Sequence, residues 1–378
     1  MAHPENFLQH ILNFAALLFN MTKAADFAPG PSQLYFTLED HTRRAFREGF
    51  PSISHRSKEF QHAYHRTVAN LRQLLSVPEH FHIAFTTSAS EVWERSIQSL
   101  VIESCLHLVN GAFSKKCYET ALQQKKKATK IEVAPGKGFE PLVANSTPEL
   151  IALTHNETST GVAMPLAYMA EVRRQFPNSL IIVDAVSSVP YPAFNFDHID
   201  SVFFSVQKGF GMPAGLGVWI YNNRCIEKAK EVQAAGVNAG SYHSLLSLHE
   251  FTLKNQTPAT PNMLAIYTLG YVAEDFLNRG IHIIRKETEY KAALLYQTLQ
   301  QHSWIKPFVT EVTWRSPTVI IAHCAEHTET VRQKLEVQGL FPGDGYGELK
   351  KKQLRFANFP AHSKEQYELL ADALAGIK

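Results

Sequence analysis

The sequence is poor in cysteine and nearly balanced in charge, and both features narrow the range of functions. It has four cysteines in 378 residues, without a C-x-x-C pair: Cys105, Cys117, Cys225 and Cys324. This pattern indicates neither a disulfide framework nor a zinc site, and it is typical of a reducing cytoplasm, where we expect the protein to act. The formal net charge is only +2, so nothing in the composition favours a nucleic-acid partner.

Metal-ligand spacings and long hydrophobic runs are also missing. The 18 histidines are scattered, with no H-E-x-x-H or comparable pattern, so no metal site is predicted. Residues 1–20 place apolar side chains on one face of a predicted helix, but the run is short and is interrupted by Asn13. No basic segment precedes the run and no A-x-A site follows it. We therefore predict a helical extension, and neither a secretory signal nor a membrane segment.

What the sequence does contain is organised around two apolar runs that end in ionisable residues. Leu180–Val183 reads as a buried strand that ends in Asp184. Ser201–Val206 reads as a second strand, which ends in Gln207 and Lys208. A glycine-rich loop follows and leads into a third predicted strand over residues 216–221. The length and the 45% apolar content are sufficient for one large domain and one smaller domain.

An acid and a lysine at the ends of neighbouring strands, 24 positions apart, are what a pyridoxal-phosphate enzyme needs. The lysine amine forms a Schiff base with the cofactor, and the carboxylate stays ionised beside its pyridine nitrogen. Taken alone, Asp184 would be a turn residue and Lys208 a solvated loop lysine. The spacing, the apolar strands and the glycines after Lys208 together favour the catalytic interpretation.

At this point the chain resembles the class V aminotransferases, and within them the phosphoserine aminotransferases. Two strings carry the resemblance further, S-H-R-S-K-E-F at residues 54–60 and N-E-T-S-T-G at residues 156–161, and the similarity extends from about Phe27 onward. It implies an α/β protein of the aspartate aminotransferase fold (fold type I). We expect a large, mainly parallel, seven-stranded sheet domain at 35–275 and a smaller α/β domain at 276–378, joined by segment 21–34.

The resemblance also implies a site for the cofactor's phosphate. Ser88, Ala89 and Ser90 follow a predicted strand and begin an amphipathic helix, as the phosphate loop of the family does. A helix N-terminus suits a phosphate because it presents unpaired N–H groups and the positive end of the helix dipole. The family usually has more glycine in this loop. Without the resemblance, the T-S-A-S string would be an ordinary helix cap.

Three more cofactor contacts follow from the resemblance. Phe113 stands in a G-x-x-S frame where the family places a tryptophan over the pyridine ring, and a phenyl ring can also stack. Thr158 matches the threonine that contacts the phenolic oxygen region of the cofactor. Gln207 precedes the lysine and is included in the same set. A phenylalanine at a strand end is more often part of the core.

The resemblance further implies a homodimer. Gln256 and Thr257 lie in a segment that, in the family, reaches across a two-fold axis to the cofactor phosphate of the partner subunit. We therefore expect this pair to contribute to the neighbouring active site. Gln256 replaces the usual asparagine, and on its own a T-P-x-T turn could simply begin a helix.

For the substrate, the resemblance implies phosphate contacts from His55 and Arg56 and an α-carboxylate contact from Arg355. Guanidinium groups suit both tasks because they bind anions through paired donors. We expect transamination between phosphoserine and 2-oxoglutarate, a step of serine biosynthesis. However, the family's C-terminal K-G-H-R signature is replaced by GELKKKQLRFANFPAHS, so a second phosphate-binding group is missing from its usual position.

Other interpretations remain open. A class V transaminase could act instead on unphosphorylated alanine or serine with glyoxylate or pyruvate. A pyridoxal-phosphate lyase or desulfurase would require a cysteine in a mobile loop, and the glycine-rich segment Gly343–Gly347 has none. A cofactor-free scaffold on the same fold is the remaining alternative.

For the C-terminal third, the pattern predicts specific elements. They are a long helix at Phe276–Gln300, strands near Phe308–Trp314 and Val319–His323, a helix at about 328–338, a loop at Gly343–Gly347, a strand at Leu354–Asn358 and a closing helix at Ser363–Ile377.

Overall fold

The secondary structure alternates between strands and helices along most of the chain. The computed structural model describes residues 25–142 and 147–378, so the predicted extension at 1–20 lies outside the described residues. The strands are β1 (Ala25–Phe27), β2 (Phe81–Thr86), β3 (Ser104–Val109), β4 (Lys127–Glu132), β5 (Leu150–Thr154), β6 (Asn156–Glu157), β7 (Val162–Ala163), β8 (Leu180–Asp184), β9 (Ser201–Ser205), β10 (Gly217–Asn222), β11 (Lys306–Pro307), β12 (Val319–His323), β13 (Leu340–Asp344) and β14 (Gln353–Ala357). The α helices are Leu38–Arg47, Lys58–Leu75, Ala89–Leu100, Ala112–Gln123, Leu166–Gln175, Asn223–Ala234, Leu245–Thr252, Met263–Arg279, Ile281–Gln301, Thr328–Glu336 and Lys364–Ala375. Among the described helices, none is both long and apolar enough to cross a bilayer.

The larger sheet has seven strands in the order β2-β10-β9-β8-β5-β3-β4. Every strand runs in the same direction except β10, which is antiparallel to its neighbours β9 and β2. The predicted mainly parallel seven-stranded sheet is thereby confirmed. Because the parallel strands all end at one edge, the residues that follow them meet there.

The central strands are apolar throughout because both faces of the sheet are covered. Successive side chains of a strand point to opposite faces. In β8, Ile181 and Val183 therefore enter one core, whereas Leu180 and Ile182 enter another. The first core includes the buried faces of the helices at 58–75 and 263–279, and the second includes that of the helix at 89–100.

The smaller sheet has five strands in the order β1-β13-β14-β12-β11. Its edge strand β1 comes from the start of the described chain and is parallel to β13, and the other pairings are antiparallel. The segment around Phe27 thus joins the C-terminal third, as expected. The domain division at 35–275 and 276–378 stays a prediction.

The predicted long helix at Phe276–Gln300 is wrong. One helix ends at Arg279, Gly280 adopts a φ of +88°, and a new helix begins at Ile281. A positive φ cannot continue a right-handed helix. The apolar pattern runs on through the break, so periodicity alone could not reveal it.

Two further elements of the C-terminal third also need correction. The predicted strand at Phe308–Trp314 is instead the short β11 followed by a 3-10 turn at Val312–Trp314. The predicted loop at Gly343–Gly347 begins too early, because Gly343 belongs to β13. A Cβ on Gly343 would lie 2.5 Å from the Pro29 Cδ atom, so this glycine permits a close packing contact rather than a turn.

Candidate active site

A cavity of about 220 Å³ lies at the carboxyl edge of the larger sheet and is closed on one side by the smaller sheet. It brings together nine of the residues predicted from the sequence, Ser88, Ala89, Ser90, Phe113, Thr158, Asp184, Gln207, Lys208 and Arg355. Their positions along the chain span more than half its length, so the sheet topology is what assembles them. Four of them, Asp184, Lys208, Thr158 and Arg355, are called the cavity group below.

Asp184 is the last residue of β8 and is only 6% exposed. Its carboxylate accepts hydrogen bonds from the Trp93 indole N–H at 2.9 Å and from the backbone N–H of Val186 at 3.0 Å. Burial raises the pKa of this carboxyl to about 6, while the two hydrogen bonds and the charge of Lys208 oppose the rise. The acid is thus buried but held in one orientation.

Lys208 follows β9, the strand next to β8, and is 7% exposed. Its Nζ atom donates to the Thr158 hydroxyl at 3.0 Å and lies 5.3 Å from the centroid of the Phe113 ring. Burial lowers the pKa of the lysine amine to about 8; the Asp184 charge opposes this shift and the Arg355 charge adds to it. About a tenth of the amine is therefore neutral, and hence nucleophilic, at pH 7, far more than for an exposed lysine.

Glycine is required beside this lysine. A Cβ on Gly30 would lie 2.6 Å from the Lys208 Cε atom, and Gly30 also has a φ of +147°. The segment that links β1 to the first helix can therefore pass against the lysine only because it has no side chain there.

Thr158 is held by a small network of buried hydroxyl and amide groups. Its hydroxyl donates to the Ser187 hydroxyl at 2.8 Å, and the Asn156 side-chain amide donates to the same oxygen at 2.7 Å. Because Ser187 in turn donates to the backbone carbonyl of Asn156, the loop after β5 is fixed to the loop after β8. Thr158 is therefore rigidly positioned to accept from Lys208.

Glu157, the residue before Thr158, stabilises the start of the helix Ala112–Gln123. The carboxylate is fully buried and accepts from the backbone N–H groups of Phe113 at 3.3 Å and Ser114 at 2.9 Å. These are orphan donors of the first helical turn, so the acid acts as a cap supplied from a distant segment. It thereby fixes Phe113 on the cavity wall.

The predicted phosphate loop lies where β2 leads into the helix Ala89–Leu100. The Ser88 hydroxyl caps this helix by accepting from the N–H of Glu91, and the N–H of Ala89 donates to the Ser205 hydroxyl at 2.7 Å. Ser90 lines the cavity from the same turn and is exposed. The turn therefore offers a helix N-terminus and hydroxyl groups to an anion.

Arg355 lies in β14, the strand that brings the smaller sheet to the cavity. Its guanidinium donates through Nε to the backbone carbonyl of Asp344 and through Nη1 to that of Thr158 at 3.2 Å. The Nη2 amino group remains available to a ligand in the cavity. Burial lowers the pKa of this arginine, although the group stays charged at physiological pH.

The other predicted residues form a second cluster outside this cavity, called the outer group: His55, Arg56, Gln256 and Thr257. The Arg56 guanidinium donates to the Gln256 side chain at 2.8 Å, to the Thr257 carbonyl at 2.8 Å and to the Pro258 carbonyl at 3.1 Å. The His55 Nδ1 atom lies 3.3 Å from the Thr260 hydroxyl. As far as the structure describes the chain, none of the four lines the cavity of the cavity group.

Among the cavity residues that the sequence interpretation missed, two matter most for the arrangement of the site. Trp93 was seen only as part of an amphipathic helix, but its indole N–H holds Asp184. Tyr346 lines the cavity from the loop between β13 and β14, and its ring centroid lies 5.2 Å from that of Phe113. No local pattern identifies Trp93, because a buried aromatic on a helix face is the usual sign of a core. The glycines on both sides of Tyr346 were the only signal for that loop.

The cavity suits pyridoxal phosphate. Two buried polar atoms on its wall, Gln207 Oε1 and Asn156 Oδ1, have no hydrogen-bond partner among the described residues. Such atoms are costly unless a ligand or water pairs with them. The wall also combines the amine and the acid of the cavity group with an aromatic ring, Phe113, and with a helix N-terminus. These are the groups that an aldehyde, a pyridine nitrogen, an aromatic ring and a phosphate require.

Comparisons with known proteins agree with this assembly. A family model described as aminotransferase class-V matches residues 28–341. The phosphoserine aminotransferase of Rhodococcus opacus (strain B4) is 29% identical over 330 residues, which cover 85% of this chain and 86% of that protein.

Solved structures agree as well. A crystal structure of a phosphoserine aminotransferase from Cytophaga hutchinsonii is 45% identical, with a TM-score of 0.92, and the match covers 94% of this chain and 99% of that one. An aspartate aminotransferase from Thermus thermophilus superposes with a TM-score of 0.80 at 21% identity, covering 92% and 97% of the two chains. The second comparison shows the fold alone.

Proposed function

This chain belongs to the class V aminotransferase family, and from that premise we propose that it transfers the amino group of phosphoserine to 2-oxoglutarate. The enzyme is an aminotransferase that depends on pyridoxal phosphate. The observation that carries the proposal is the pairing of buried Lys208 with buried Asp184 on the wall of one cavity. The name shared by the Rhodococcus and Cytophaga proteins supports phosphoserine as the substrate.

Lys208 is the proposed catalytic residue. When bound, pyridoxal phosphate supplies an electron-accepting ring that stabilises negative charge at the substrate's Cα atom. Lys208 Nζ would remove the proton from the Cα atom of the amino donor in one half-reaction and would return a proton to the Cα atom of the acceptor in the other half-reaction. Its lowered pKa of about 8 suits this shuttle, because a general base is most effective when its pKa is close to the working pH.

Asp184 is proposed to hold a proton on the pyridine nitrogen. The carboxylate must be ionised for this task, and the hydrogen bonds from Trp93 and Val186 favour its ionised form against the effect of burial. The cationic ring nitrogen would add a further favourable charge beside it.

Arg355 is proposed to bind the α-carboxylate. Its Nε and Nη1 atoms donate to backbone carbonyls, so the guanidinium plane is fixed on the cavity wall. Such an arrangement orients Cα near Lys208 without a large loss of side-chain freedom on binding. Phe113 is proposed to stack on the ring, Thr158 to contact its phenolic oxygen region, and Ser88, Ala89, Ser90 and Gln207 to bind the cofactor, the first three at its phosphate.

The outer group is proposed to act in the neighbouring active site of a homodimer. Gln256 and Thr257 are already ordered by Arg56 in the single chain, yet they do not line its cavity. If a two-fold axis lies beside this cluster, all four outer-group residues approach the partner's cavity together. We also propose that the protein acts in the cytoplasm, because its four cysteines form no disulfide and are buried.

A second substrate class has one observation in its favour. The Arg56 guanidinium already donates to three acceptors of its own chain, so fewer of its donors remain for a substrate phosphate. An unphosphorylated donor such as alanine or serine, with glyoxylate or pyruvate as acceptor, would not need them.

Two measurements test the proposal. The purified protein with pyridoxal phosphate should absorb in the visible region, and reduction with borohydride followed by peptide mapping should find the cofactor on Lys208. Steady-state kcat/KM values should then be compared for phosphoserine, serine and alanine with 2-oxoglutarate. We expect phosphoserine to be preferred by at least about 100-fold, because a site built to bind a charged group strongly discriminates against analogues that lack it.

The outcomes separate the candidates. If peptide mapping finds the reduced cofactor on another lysine, the assignment of Lys208 is rejected. A cofactor-loaded enzyme that uses alanine as well as phosphoserine would reject the phosphate specificity and favour the second substrate class.

A further inference from the structure

A tyrosine of the cavity wall accepts a hydrogen bond from an exposed lysine that lies outside the cavity lining. Tyr346, in the loop between β13 and β14, lines the cavity, and Lys116, on the helix Ala112–Gln123, donates from Nζ to its hydroxyl at 2.8 Å. The contact joins a loop of the smaller sheet to a helix that packs on the larger sheet. We propose that Lys116 and Tyr346 together bind the distal anionic group of the substrates, the group remote from the α-carboxylate. This inference rests on the proposed function.

The charges around the tyrosine ring support this assignment. Lys116 Nζ lies 5.4 Å from the Tyr346 ring centroid, and the Arg355 guanidinium carbon lies 5.6 Å from the same centroid. Lys116 Nζ is also 5.6 Å from the Phe113 ring. Lys116 Nζ lies at the hydroxyl edge of this ring rather than over its face, because it is 2.8 Å from the Tyr346 oxygen and 5.4 Å from the centroid. The two cations thus lie on either side of one tyrosine side chain. A substrate with an anionic group at each end could therefore contact both.

Hydrogen-bonding capacity points the same way. A phenol hydroxyl has one proton to donate, and Lys116 already occupies one of its lone pairs as a donor. The Tyr346 proton must therefore point to another acceptor, and the ammonium group of Lys116 keeps further N–H donors free. Asp344, one of the two acids that lie two positions from Tyr346 in sequence, is paired with Arg332 and Lys350. An incoming phosphate or carboxylate would thus receive donors from both members of the pair.

The loop that carries Tyr346 lies beyond the part of the chain that the family model matches, which ends at residue 341. The family's usual K-G-H-R string does not occur in this loop, whose sequence is GYGELKKK. The group that the K-G-H-R string would supply beside the His55 and Arg56 contacts must therefore come from other residues at this loop. Lys116 lies 230 positions before Tyr346, so only the folded structure pairs them.

A binding experiment on the cofactor-loaded enzyme tests the pair without catalysis. The probes are glutarate, 3-phosphonopropanoate and pentanoate, which share one carboxylate and differ at the other end, and the Kd is measured by titration calorimetry. We expect the two doubly anionic probes to bind at least about tenfold more tightly than pentanoate, since charge-assisted hydrogen bonds are the strong ones. Whichever of the two binds more tightly identifies the preferred distal group, and either order supports the subsite.

The variants are Lys116→Met, Tyr346→Phe and, as a matched control, Lys115→Met. Lys115 is exposed, adjacent in sequence and outside the cavity lining. We expect Lys116→Met to reduce the preference for doubly anionic probes to about twofold or less, Tyr346→Phe to reduce it in part, and Lys115→Met to leave it intact. Preservation of the full preference in both Lys116→Met and Tyr346→Phe would overturn the proposal.

An activity comparison distinguishes this inference from the proposed function. Lys116→Met should lower kcat/KM for phosphoserine and glutamate by at least about tenfold and leave that for alanine within about twofold. An equal loss with all three amino acids would overturn the subsite. If the wild-type enzyme fails to transaminate phosphoserine but binds glutarate through Lys116, the proposed function falls and the subsite stands.

Discussion

The cavity group and the outer group differ in how they were predicted and in where the structure places them. Asp184 and Lys208 were predicted from the ends of apolar strands, whereas the outer group was predicted from the family resemblance alone. Asp184 and Lys208 are 6% and 7% exposed, and burial shifts the pKa of each toward neutrality. Arg56 is exposed and makes its hydrogen bonds to its own chain outside the cavity. The cavity group is therefore assembled within one chain, whereas the outer group is ordered without reaching that site.

This difference has a physical origin. The strand ends of a parallel sheet converge within one chain, so burial and desolvation are already present before any ligand binds. The turn that contains Gln256 and Thr257 precedes the helix Met263–Arg279 and is organised by Arg56 from another surface segment. A site of this kind needs a second surface before it can contact a ligand. We therefore expect the cavity group to act within its own chain and the outer group to act across a subunit interface.

The strongest test of the comparison removes the amine of the cavity group. Lys208→Ala should lower kcat by at least about 10⁴-fold, because proton transfer and covalent attachment are lost together. The variant should also fail to retain cofactor after borohydride reduction. The control Lys115→Ala, at an exposed position, should keep both properties. Residual activity within about tenfold of wild type would show that the cavity group is not the catalytic centre.

Replacing the acid should have the next largest effect. Asp184→Asn keeps the shape of the side chain but removes the charge that we propose faces the ring nitrogen, so kcat should fall by about 10²- to 10³-fold. Asp197→Asn, at an exposed position, is the matched control and should have no measurable effect on kcat. A loss of less than about tenfold in Asp184→Asn would remove Asp184 from the proposed machinery.

The outer group is tested by mixing chains. Thr257→Ala should weaken cofactor binding by about tenfold, the scale of one hydrogen bond to a charged group. Mixed dimers of a Lys208→Ala chain and a Thr257→Ala chain contain one intact site only if Thr257 acts in the partner's cavity. Random mixing should then restore about a quarter of the wild-type activity at limiting cofactor, since half of the dimers are mixed and each has one good site. If mixing restores no activity, Thr257 acts in the site of its own chain or does not contribute to an active site.

Much of the cavity group could be read from the sequence because its strands are continuous apolar runs. β8 and β9 are buried along their whole length, and the ionisable residues Asp184 and Lys208 stand where the apolar runs stop. The edge strand β4, with the sequence KATKIE and mostly exposed side chains, carries no such pattern and was not predicted. The break at Gly280 was missed because both flanking helices continue the same apolar period.

The residues that support the cavity group were harder to predict, because contacts between distant segments define them. The Trp93 indole reaches Asp184 across 91 positions of sequence, and Lys116 reaches Tyr346 across 230. On its own helix, Trp93 has the spacing of an ordinary core residue, and Lys116 that of a solvated one. A local pattern can indicate that a residue is buried. It cannot identify the residue that it contacts unless the partner strand or helix is known.

Trp93 offers the test with the smallest expected effect, since its hydrogen bond to the cavity group is made to Asp184. The indole N–H bond at 2.9 Å lowers the pKa of the Asp184 carboxyl, so its loss in Trp93→Phe should raise that pKa further. The carboxylate would then be protonated at a higher pH, so the acidic limb of the kcat/KM profile should shift to higher pH. We expect kcat/KM to fall by about two- to fivefold near pH 6 and by less at pH 8. Trp304→Phe, at a half-buried position outside the cavity, controls for the loss of an indole. A uniform loss at every pH would indicate a packing defect instead, and only the displaced limb would show that the indole tunes the acid.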